Sequence, residues 1–306
     1  MDAPAIRLQG VSKAFAGHKA VIDLSLEVGR GSVFGLLGPN GAGKTTTLRM
    51  VMDVFAPDAG TVELFGGRAS RALLDRVGYM PEERGLYPRM GLEEQLLFFA
   101  EAKGTARSVA RSRLPVWLDR LELDGKWRSR KLNELSKGMQ QKAQFIASVL
   151  HDPELLILDE PMAGLDPVAA SLMRDVLLEL RRRGKTLVLS SHQMETVERL
   201  CDAIALVSRG EKLLDGPVAE VKRRYGRNTV VLAYEGDGAF LASLPDVAAV
   251  SDFGRYVEIR VGEGGDPQAI LQAAAERLRV SRFEIVEPSL HDIFVEQVKG
   301  HGEAAA

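Results

Sequence analysis

The glycine-rich segment GPNGAGKTT, residues 38–46, restricts the possible folds of this chain more than any other stretch. It fits the pattern G-x-x-x-x-G-K-[ST] and lies between an apolar run and an amphipathic helical pattern, the context that this motif requires. Glycines let backbone N–H groups close around phosphate oxygens, while a helix start and a lysine add positive charge. We therefore predict a phosphate-binding loop comprising Gly38, Pro39, Asn40, Gly41, Ala42, Gly43, Lys44, Thr45 and Thr46.

Apolar runs and helical patterns predict the class of fold. Residues 22–28 alternate apolar and polar side chains, as a half-buried strand does. Residues 48–55 carry an apolar stripe at helical spacing. Continuous apolar runs, which fit strands buried on both faces, occur at 33–38, 155–158, 186–190 and 203–207. We expect an α/β fold whose core is a parallel or mixed sheet covered by helices.

Two further regions differ from this pattern. Residues from about 92 to 135 have helical spacing and no strand-like run, which predicts a helical insert. Later segments follow the order strand, helix, strand, strand, helix, strand, at 229–234, 239–244, 248–252, 256–261, 267–278 and 279–286. This order is typical of a ferredoxin-like α+β domain.

We therefore predict a first domain over 1–226, an accessory α+β domain over 227–300 and a tail over 301–306. The last helix should start at Ser289, because Asp292 three residues later completes a capping-box pattern.

Composition limits the function classes. At 306 residues and 45% hydrophobic content, the chain is long enough for two domains. A formal net charge of −2 gives no support for nucleic acid as a partner. The single cysteine, Cys201, excludes a disulfide within the chain and fits a reducing compartment. Because no signal peptide and no membrane-spanning run is visible, we expect a soluble intracellular chain.

The segment LLILDEP, residues 155–161, ends a buried-strand pattern with two adjacent carboxylates, Asp159 and Glu160. Side chains alternate along a strand, so these two acids should have different roles. We predict that Asp159 binds Mg²⁺, directly or through water, together with the hydroxyl of Thr45. Glu160 is then the expected general base toward an attacking water.

With these motifs the chain resembles the ATP-binding subunits of ABC transporters. Three more segments carry the resemblance, similar to the signature, D-loop and switch-histidine segments of the family: LSKGMQQK (135–142), AGLDP (163–167) and SSHQMETVERLCD (190–202). The similarity runs from about Ile6 to Gly216 in the family's order. It implies a P-loop ABC cassette with a helical subdomain, ATP hydrolysis, and ATP and Mg²⁺ as cofactors.

The resemblance also implies a homodimer in the ATP-bound state. In the family, the signature of one subunit covers the ATP held by the phosphate loop of another. Ser136 and the backbone near Gly138 would donate to a γ-phosphate, and Ser136 can at the same time be an ordinary N-cap.

Three further site residues follow from the same resemblance. His192 would contact the γ-phosphate and help hold the attacking water. Asp166 would lie at the dimer interface or be a turn residue before Pro167. Phe15 would stack on adenine or make an ordinary core contact.

Some positions depart from the family pattern. Where glutamine is usual, GYMPEERGLYP has Glu82, or Glu83 if the register differs by one. A carboxylate can bind Mg²⁺ but brings negative charge toward the γ-phosphate. We include Glu82 among the predicted catalytic and metal-binding residues, with an exposed acid as the alternative. Lys137 and Met139 replace the usual glycine and glutamine of the signature, and we still expect a functional cassette.

The resemblance implies a separate permease chain, because no spanning segment is visible here. We expect the chain at the cytoplasmic face of the membrane, bound through that permease. Leu86, Tyr87 and Met90 would contact the permease or pack against the helical insert. The segments PEERGLYP and LSKGMQQK and the C-terminal domain most resemble bacterial drug and sodium exporters. The alternatives are a soluble ABC-type ATPase acting on ribosomes or DNA, and a sensor whose C-terminal domain binds a regulator.

Overall fold

The computed structural model describes residues 3–83, 85–123, 125–225, 229–262 and 264–304. The chain forms two compact units, residues 1–216 and residues 217–306. The predicted domain boundary at 226/227 lies outside the described residues, as do residues 305–306 of the predicted tail.

The first unit combines strands with helices. Its strands are β1 (Ile6–Phe15), β2 (His18–Val28), β3 (Val33–Leu37), β4 (Ala59–Leu64), β5 (Gly67–Arg68), β6 (Val77–Met80), β7 (Leu155–Asp159), β8 (Thr186–Ser191), β9 (Ala203–Ser208) and β10 (Glu211–Pro217). Its helices are α1 (Lys44–Val51), α2 (Arg71–Leu74), α3 (Leu92–Ala102), α4 (Arg107–Arg120), α5 (Lys137–Val149), α6 (Pro167–Arg182) and α7 (Met194–Leu200).

The second unit follows as α8 (Val218–Arg224), β11 (Thr229–Glu235), β12 (Val247–Asp252), β13 (Val257–Val261), α9 (Pro267–Arg277), β14 (Arg279–Val286) and α10 (Leu290–Ala304). Throughout the described ranges, every helix is too short or too polar to cross a bilayer.

The core of the first unit is a sheet with the strand order β10-β9-β3-β8-β7-β6. The pairs β9/β3, β3/β8, β8/β7 and β7/β6 are all parallel. Strands β3, β7 and β8 are buried at every residue, which explains their continuous apolar runs. The predicted α/β fold is thereby confirmed. Because the strands are parallel, their carboxyl ends meet at one edge of the sheet, and Asp159 lies opposite Ser190 there.

A second sheet in the first unit, with the order β2-β1-β4-β5, is antiparallel. Of its strands the sequence patterns predicted only β2, at residues 22–28, because register shifts interrupt β1 between Leu8 and Val11 and again before Ala14. Each bulge moves the next side chain to the opposite face and removes the strict alternation that marks a strand. Val21, Leu24 and Leu26 of β2 nevertheless join the buried core formed with the central sheet.

The range 92–135 contains α3, α4 and two short 3-10 turns, at Gly125–Trp127 and Leu132–Glu134. Trp117 of α4 contacts Phe145 of α5 edge to face, with ring centroids 6.1 Å apart. Such aromatic pairs stabilise the packing of the two helices.

The second unit contains a sheet with the order β12-β13-β11-β14, in which all neighbours are antiparallel. Its core includes Ile270 and Ala274 of α9. The element order matches the ferredoxin-like prediction with one correction. Residues 239–244 form only a 3-10 turn at Ala239–Ser243, and Leu244 is extended with φ −68° and ψ 141°. Pro245 explains this, because the residue before a proline is disfavoured in a helix.

The start of α10 confirms the predicted capping pattern. The Asp292 amide donates to the Ser289 hydroxyl, and the Ser289 amide donates to the Asp292 carboxylate, both at 3.2 Å. These two bonds satisfy backbone donors that the first helical turn leaves free.

Candidate active site

The phosphate-binding loop predicted for residues 38–46 connects β3 with α1. Lys44, the first residue of α1, is only 6% exposed. Its ammonium donates hydrogen bonds to the carbonyls of Gly38, at 2.7 Å, and Pro39, at 3.2 Å. Phosphate oxygens would be stronger partners than these neutral carbonyls. The loop therefore presents a fixed positive charge to an incoming anion.

Two glycines of the loop are required by close backbone contacts. A Cβ at Gly38 would lie 2.2 Å from the Val207 carbonyl oxygen, and one at Gly43 would lie 2.3 Å from the Ala20 carbonyl oxygen. Gly43 also has a φ of 100°, which residues with a side chain rarely adopt. Any larger residue at either position would displace the backbone that forms the loop.

A cleft of about 530 Å³ opens over this loop. The predicted loop residues from Asn40 to Thr46 all line it, whereas Gly38 and Pro39 do not. Predicted residues from other segments also line it: Phe15, Glu82, Asp159 and Glu160. His18 and Ala20 of β2 complete the lining, and no sequence motif had pointed to them. The chain thus brings together groups that are far apart in sequence.

Asp159, the last residue of β7, is fully buried. Its Oδ1 accepts a hydrogen bond from the Ser190 hydroxyl on the neighbouring strand β8. Its Oδ2 has no hydrogen-bond partner among the described residues. A buried carboxylate oxygen without a partner is unfavourable, and a divalent cation would satisfy it. Asp159 and the nearby Thr45 therefore fit Mg²⁺, and their role as its ligands stays a prediction.

Glu160 turns away from the strand with a positive φ of 50°. Its amide donates to the Ser190 hydroxyl at 2.9 Å. Its Oε1 lies 2.9 Å from His192 Nδ1 and 3.7 Å from Lys44 Nζ. The carboxylate is thus held between two nitrogen groups at the edge of the cleft. This arrangement suits a general base, and it gives Glu160 surroundings unlike those of Asp159.

Phe15, at the end of β1, is 46% exposed. Its ring meets Phe55 edge to face, with centroids 5.4 Å apart, and Lys13 Nζ lies 5.6 Å from its centre. Because nearly half of the side chain is exposed at the cleft, an aromatic face remains accessible to a base. Adenine stacking by Phe15 stays a prediction.

Glu82 and Glu83 point to different surroundings. Glu82 lines the cleft. Glu83 forms an ion pair with Arg49 of α1 at 3.3 Å and is 83% exposed. Of the two registers considered for the glutamine position, this placement favours Glu82.

The signature segment lies at the start of α5. Ser136 is exposed and caps this helix by accepting a hydrogen bond from the Met139 amide at 3.3 Å. Neither Ser136 nor Gly138 lines the cleft over the phosphate loop. The capping role predicted for Ser136 is present in the single chain, whereas contact with phosphate stays a prediction.

Asp166 caps α6, since its Oδ1 accepts hydrogen bonds from the amides of Val168 and Ala169, both at 2.9 Å. The bond from Ala169 is the main cause that lowers the pKa of this carboxyl. The turn role considered for Asp166 is therefore present, and an interface role stays a prediction.

Three positioning residues were not found from sequence: Ser190, Gln141 and Gln144. The Ser190 hydroxyl donates to the Asp159 carboxylate and accepts from the Glu160 backbone amide. Gln141 Nε2 lies 3.4 Å from the Glu160 carbonyl and 3.3 Å from the Pro161 carbonyl. Both glutamines are buried polar residues on α5. No sequence pattern pointed to them, because glutamine on a helix is mostly exposed.

Comparison with known proteins gives consistent matches. Residues 21–163 match the family described as ABC transporter, and residues 216–298 match the C-terminal domain of DrrA1-3-like ATP-binding proteins. The uncharacterized ABC transporter ATP-binding protein YhaQ of Bacillus subtilis (strain 168) is 39% identical over 293 residues, covering 96% of this chain and 98% of the relative.

The Nod factor export ATP-binding protein I of Paraburkholderia xenovorans (strain LB400) is 40% identical over 235 residues, covering 75% of this chain and 77% of the relative. A solved structure of an ATP-binding subunit of an ABC transporter is similar with a TM-score of 0.68 at 30% identity. The similarity covers 72% of this chain and 93% of that one.

Proposed function

Because this chain belongs to the ABC transporter family of ATP-binding proteins, we propose that two copies enclose two ATP molecules and thereby drive a separate membrane permease. The chain is an ATPase subunit by family membership. The dimer, the permease and the direction of transport are parts of the proposal.

One observation is the main support for the proposed dimer. The cleft over the phosphate loop contains Lys44, Asp159 and Glu160, but the signature residues Ser136 and Gly138 are not part of it. The amino end of α5 is exposed at Ser136 and Lys137. A helix start with free amides and a neighbouring lysine favours an anion. The γ-phosphate of ATP bound to a second copy is the anion that this helix start would meet.

The chemistry follows from the residues that line the cleft and from His192, which contacts Glu160 from outside the lining. Glu160 accepts a proton from the water that attacks the γ-phosphorus. The bond between the γ-phosphorus and the bridging oxygen breaks, and its electron pair stays on the ADP oxygen. His192 orients the Glu160 carboxylate through their 2.9 Å contact. Lys44 balances the negative charge that develops on the phosphate oxygens. Mg²⁺, when bound by Asp159 and Thr45, would neutralise phosphate charge.

Mixing two inactive variants tests the dimer. Lys44→Ala removes the phosphate-loop cation, and Ser136→Arg blocks the signature, so neither variant alone should hydrolyse ATP. A mixed dimer combines one intact loop with one intact signature across the interface. We expect ATPase activity to reappear on mixing and to vanish on dilution. No recovery at any ratio, with both variants folded, would contradict a site shared between copies.

A groove between β6, α3 and α5 supports the proposed binding of a permease. This α3–α5 groove has a volume of about 470 Å³, and its apolar lining includes Leu74, Leu86 and Phe99. Next to it, Tyr87 stacks on Phe99 with centroids 6.1 Å apart, and Tyr87 and Phe98 are 53% and 45% exposed. Exposed clustered aromatic rings are typical of interaction surfaces. We propose that a short segment of the permease occupies this groove.

Of the two roles considered for the loop residues, packing fits Leu86 and permease contact fits Tyr87. Leu86 is buried, as a packing residue would be, whereas Tyr87 is available to a partner. Tyr87→Asp should therefore release the chain from membranes of cells that naturally contain it. Val109→Asp, at an exposed apolar residue of α4, serves as the matched control and should be retained. Equal retention of both variants would argue against this surface.

Export is supported by the name of one relative, the Nod factor export ATP-binding protein I. The chain then lies at the cytoplasmic face of the membrane, bound through its permease. Inside-out vesicles from cells with the chain and its permease should take up the substrate only with ATP. ATP-dependent uptake by right-side-out cells instead would reverse the assigned direction.

A further inference from the structure

Gln144, in the middle of α5, is only 4% exposed. Its Nε2 donates hydrogen bonds to two carbonyls of the loop after β6, Pro81 at 2.6 Å and Glu83 at 3.1 Å. Both partners are acceptors, so the amide nitrogen must face the loop and Oε1 must face elsewhere. Oε1 is buried and has no hydrogen-bond partner within the described ranges. One half of this amide is therefore fully used and the other half is unsatisfied.

The loop that Gln144 holds contributes residues to two sites. Pro81 lines the α3–α5 groove, and Glu82 lines the nucleotide cleft. The two carbonyls bound by Gln144 belong to the residues on either side of Glu82. A single side chain thus fixes the short backbone segment from which Glu82 enters the cleft.

Other buried polar groups are found in the same groove. Tyr79 Oη and both ring nitrogens of His151 are buried, with Arg49 as the polar neighbour of Tyr79 and the Val77 backbone as that of His151, so these groups have few partners within the chain. Burial is the main cause that lowers the pKa of His151 to about 4, so its ring is neutral at pH 7 and offers one donor and one acceptor. Buried polar atoms without partners are rare. The groove is therefore suited to a largely apolar segment that also carries hydrogen-bonding groups.

We propose that Gln144 is the positioning residue through which a permease segment in the α3–α5 groove acts on Glu82. The proposal rests on the proposed function, which supplies the permease. A donor on the segment pairs with Oε1. Because Oε1 is buried, the amide must rotate to meet this donor, and rotation weakens the bonds to Pro81 and Glu83. The segment that carries Glu82 then shifts in the cleft, and ATP hydrolysis responds to the permease.

The test compares ATP hydrolysis by the full chain with and without membranes containing its permease. Gln144→Leu keeps a similar volume but cannot donate, and Gln144→Met is the second variant in case the first folds poorly. Two neutral hydrogen bonds are lost, so permease stimulation should fall about tenfold. Gln268→Leu, at an exposed glutamine of α9, is the matched control and should be stimulated like the parent.

A double-mutant cycle with Glu82→Ala separates positioning from a general loss of packing. If Gln144 acts through Glu82, Gln144→Leu should have no further effect on stimulation in the Glu82→Ala background. An equal reduction in both backgrounds, or parental stimulation of Gln144→Leu, would overturn the proposal while leaving the proposed function intact. A parent chain that its permease does not stimulate would overturn both.

Discussion

At the scale of single residues, Ser190 explains how two adjacent acids acquire different surroundings. Its hydroxyl donates to Asp159 Oδ1 and accepts from the Glu160 amide, so one side chain of β8 holds the end of β7. Asp159 remains fully buried, and Glu160 turns toward His192. Strand β7 ends at Asp159 and the backbone turns at Glu160 with a φ of 50°, so the two carboxylates face different surroundings, and Ser190 of the neighbouring strand holds this arrangement.

The assignment of Glu160 as general base leads to a direct prediction. Glu160→Gln keeps the size of the side chain but cannot accept the proton, so kcat for ATP hydrolysis should fall roughly 10²- to 10⁴-fold. The Kd for ATP should stay within a few-fold of the parent value. Glu276→Gln, at an exposed glutamate of α9, is the control. Turnover of Glu160→Gln at the parental rate would show that another group takes the proton.

His151 makes the folded chain sensitive to acid. It is 9% exposed, and burial, followed by the nearby Lys103, lowers its pKa from 6.5 to about 4. Because the pKa is lower in the folded chain, the associated stability is present above about pH 6.5 and is lost as the pH falls toward 4. The loss in the free energy of unfolding is on the order of 3 kcal/mol over that range.

Urea unfolding at pH 7 and pH 4.5 measures this effect. The parent should lose about 2 kcal/mol more than His151→Gln between the two conditions, because glutamine does not titrate. The same loss in both proteins would show that other groups cause the acid sensitivity.

At the scale of elements, α5 connects the parts of the active site. Ser136 caps its first turn, Gln141 contacts the carbonyl of Glu160, and Gln144 holds the loop that carries Glu82. A helix is stiff over this length, so a displacement at its amino end is carried to the other two contacts. The signature segment and Glu160, the predicted general base, are therefore mechanically linked within one copy.

Helix α6 offers a test of the two roles considered for Asp166. Asp166→Asn keeps the oxygen that caps the helix, whereas Asp166→Ala removes it, so only the alanine variant should melt lower, by about 2–4 °C. Thermal unfolding and ATPase activity are measured together. If the asparagine variant melts like the parent but loses activity, the charge has an interface role beyond capping. Parental melting of the alanine variant would contradict the cap.

At the scale of the whole molecule, each unit has its own buried core. The first unit surrounds the central sheet, and the second packs α9 and its 3-10 turn onto β11 and β13. All residues of the candidate active site belong to the first unit. A ligand of that site should stabilise the first unit alone.

Calorimetry with and without MgATP tests this expectation on Glu160→Gln, which should retain the nucleotide. We expect two transitions, of which one rises with MgATP, since saturation at about 100 Kd adds roughly 2.7 kcal/mol to the unit that binds. The second transition should remain at its temperature. A single transition that shifts as a whole would show that the two cores unfold together.

The sequence predicted those features of the fold that leave a pattern in neighbouring residues. The continuous apolar runs of β3, β7, β8 and β9 and the capping pair Ser289 and Asp292 are short-range signals, and the structure contains all of them. Of the antiparallel sheet only β2 was predicted, at residues 22–28, because bulges break the alternation of its neighbour β1. The helix predicted at 239–244 was wrong, because Pro245 limits it to a 3-10 turn.

By itself, the sequence determined the phosphate loop, the Asp159–Glu160 pair and the α/β class, because each requires particular residues close together along the chain. Only the tertiary structure decided that Glu82, and not Glu83, faces the cleft. It also decided that Ser190 and Gln141 hold the backbone of Glu160 and that Gln144 holds the loop that carries Glu82. Those contacts join residues from different strands and helices. Their geometry arises from packing, which no local pattern records.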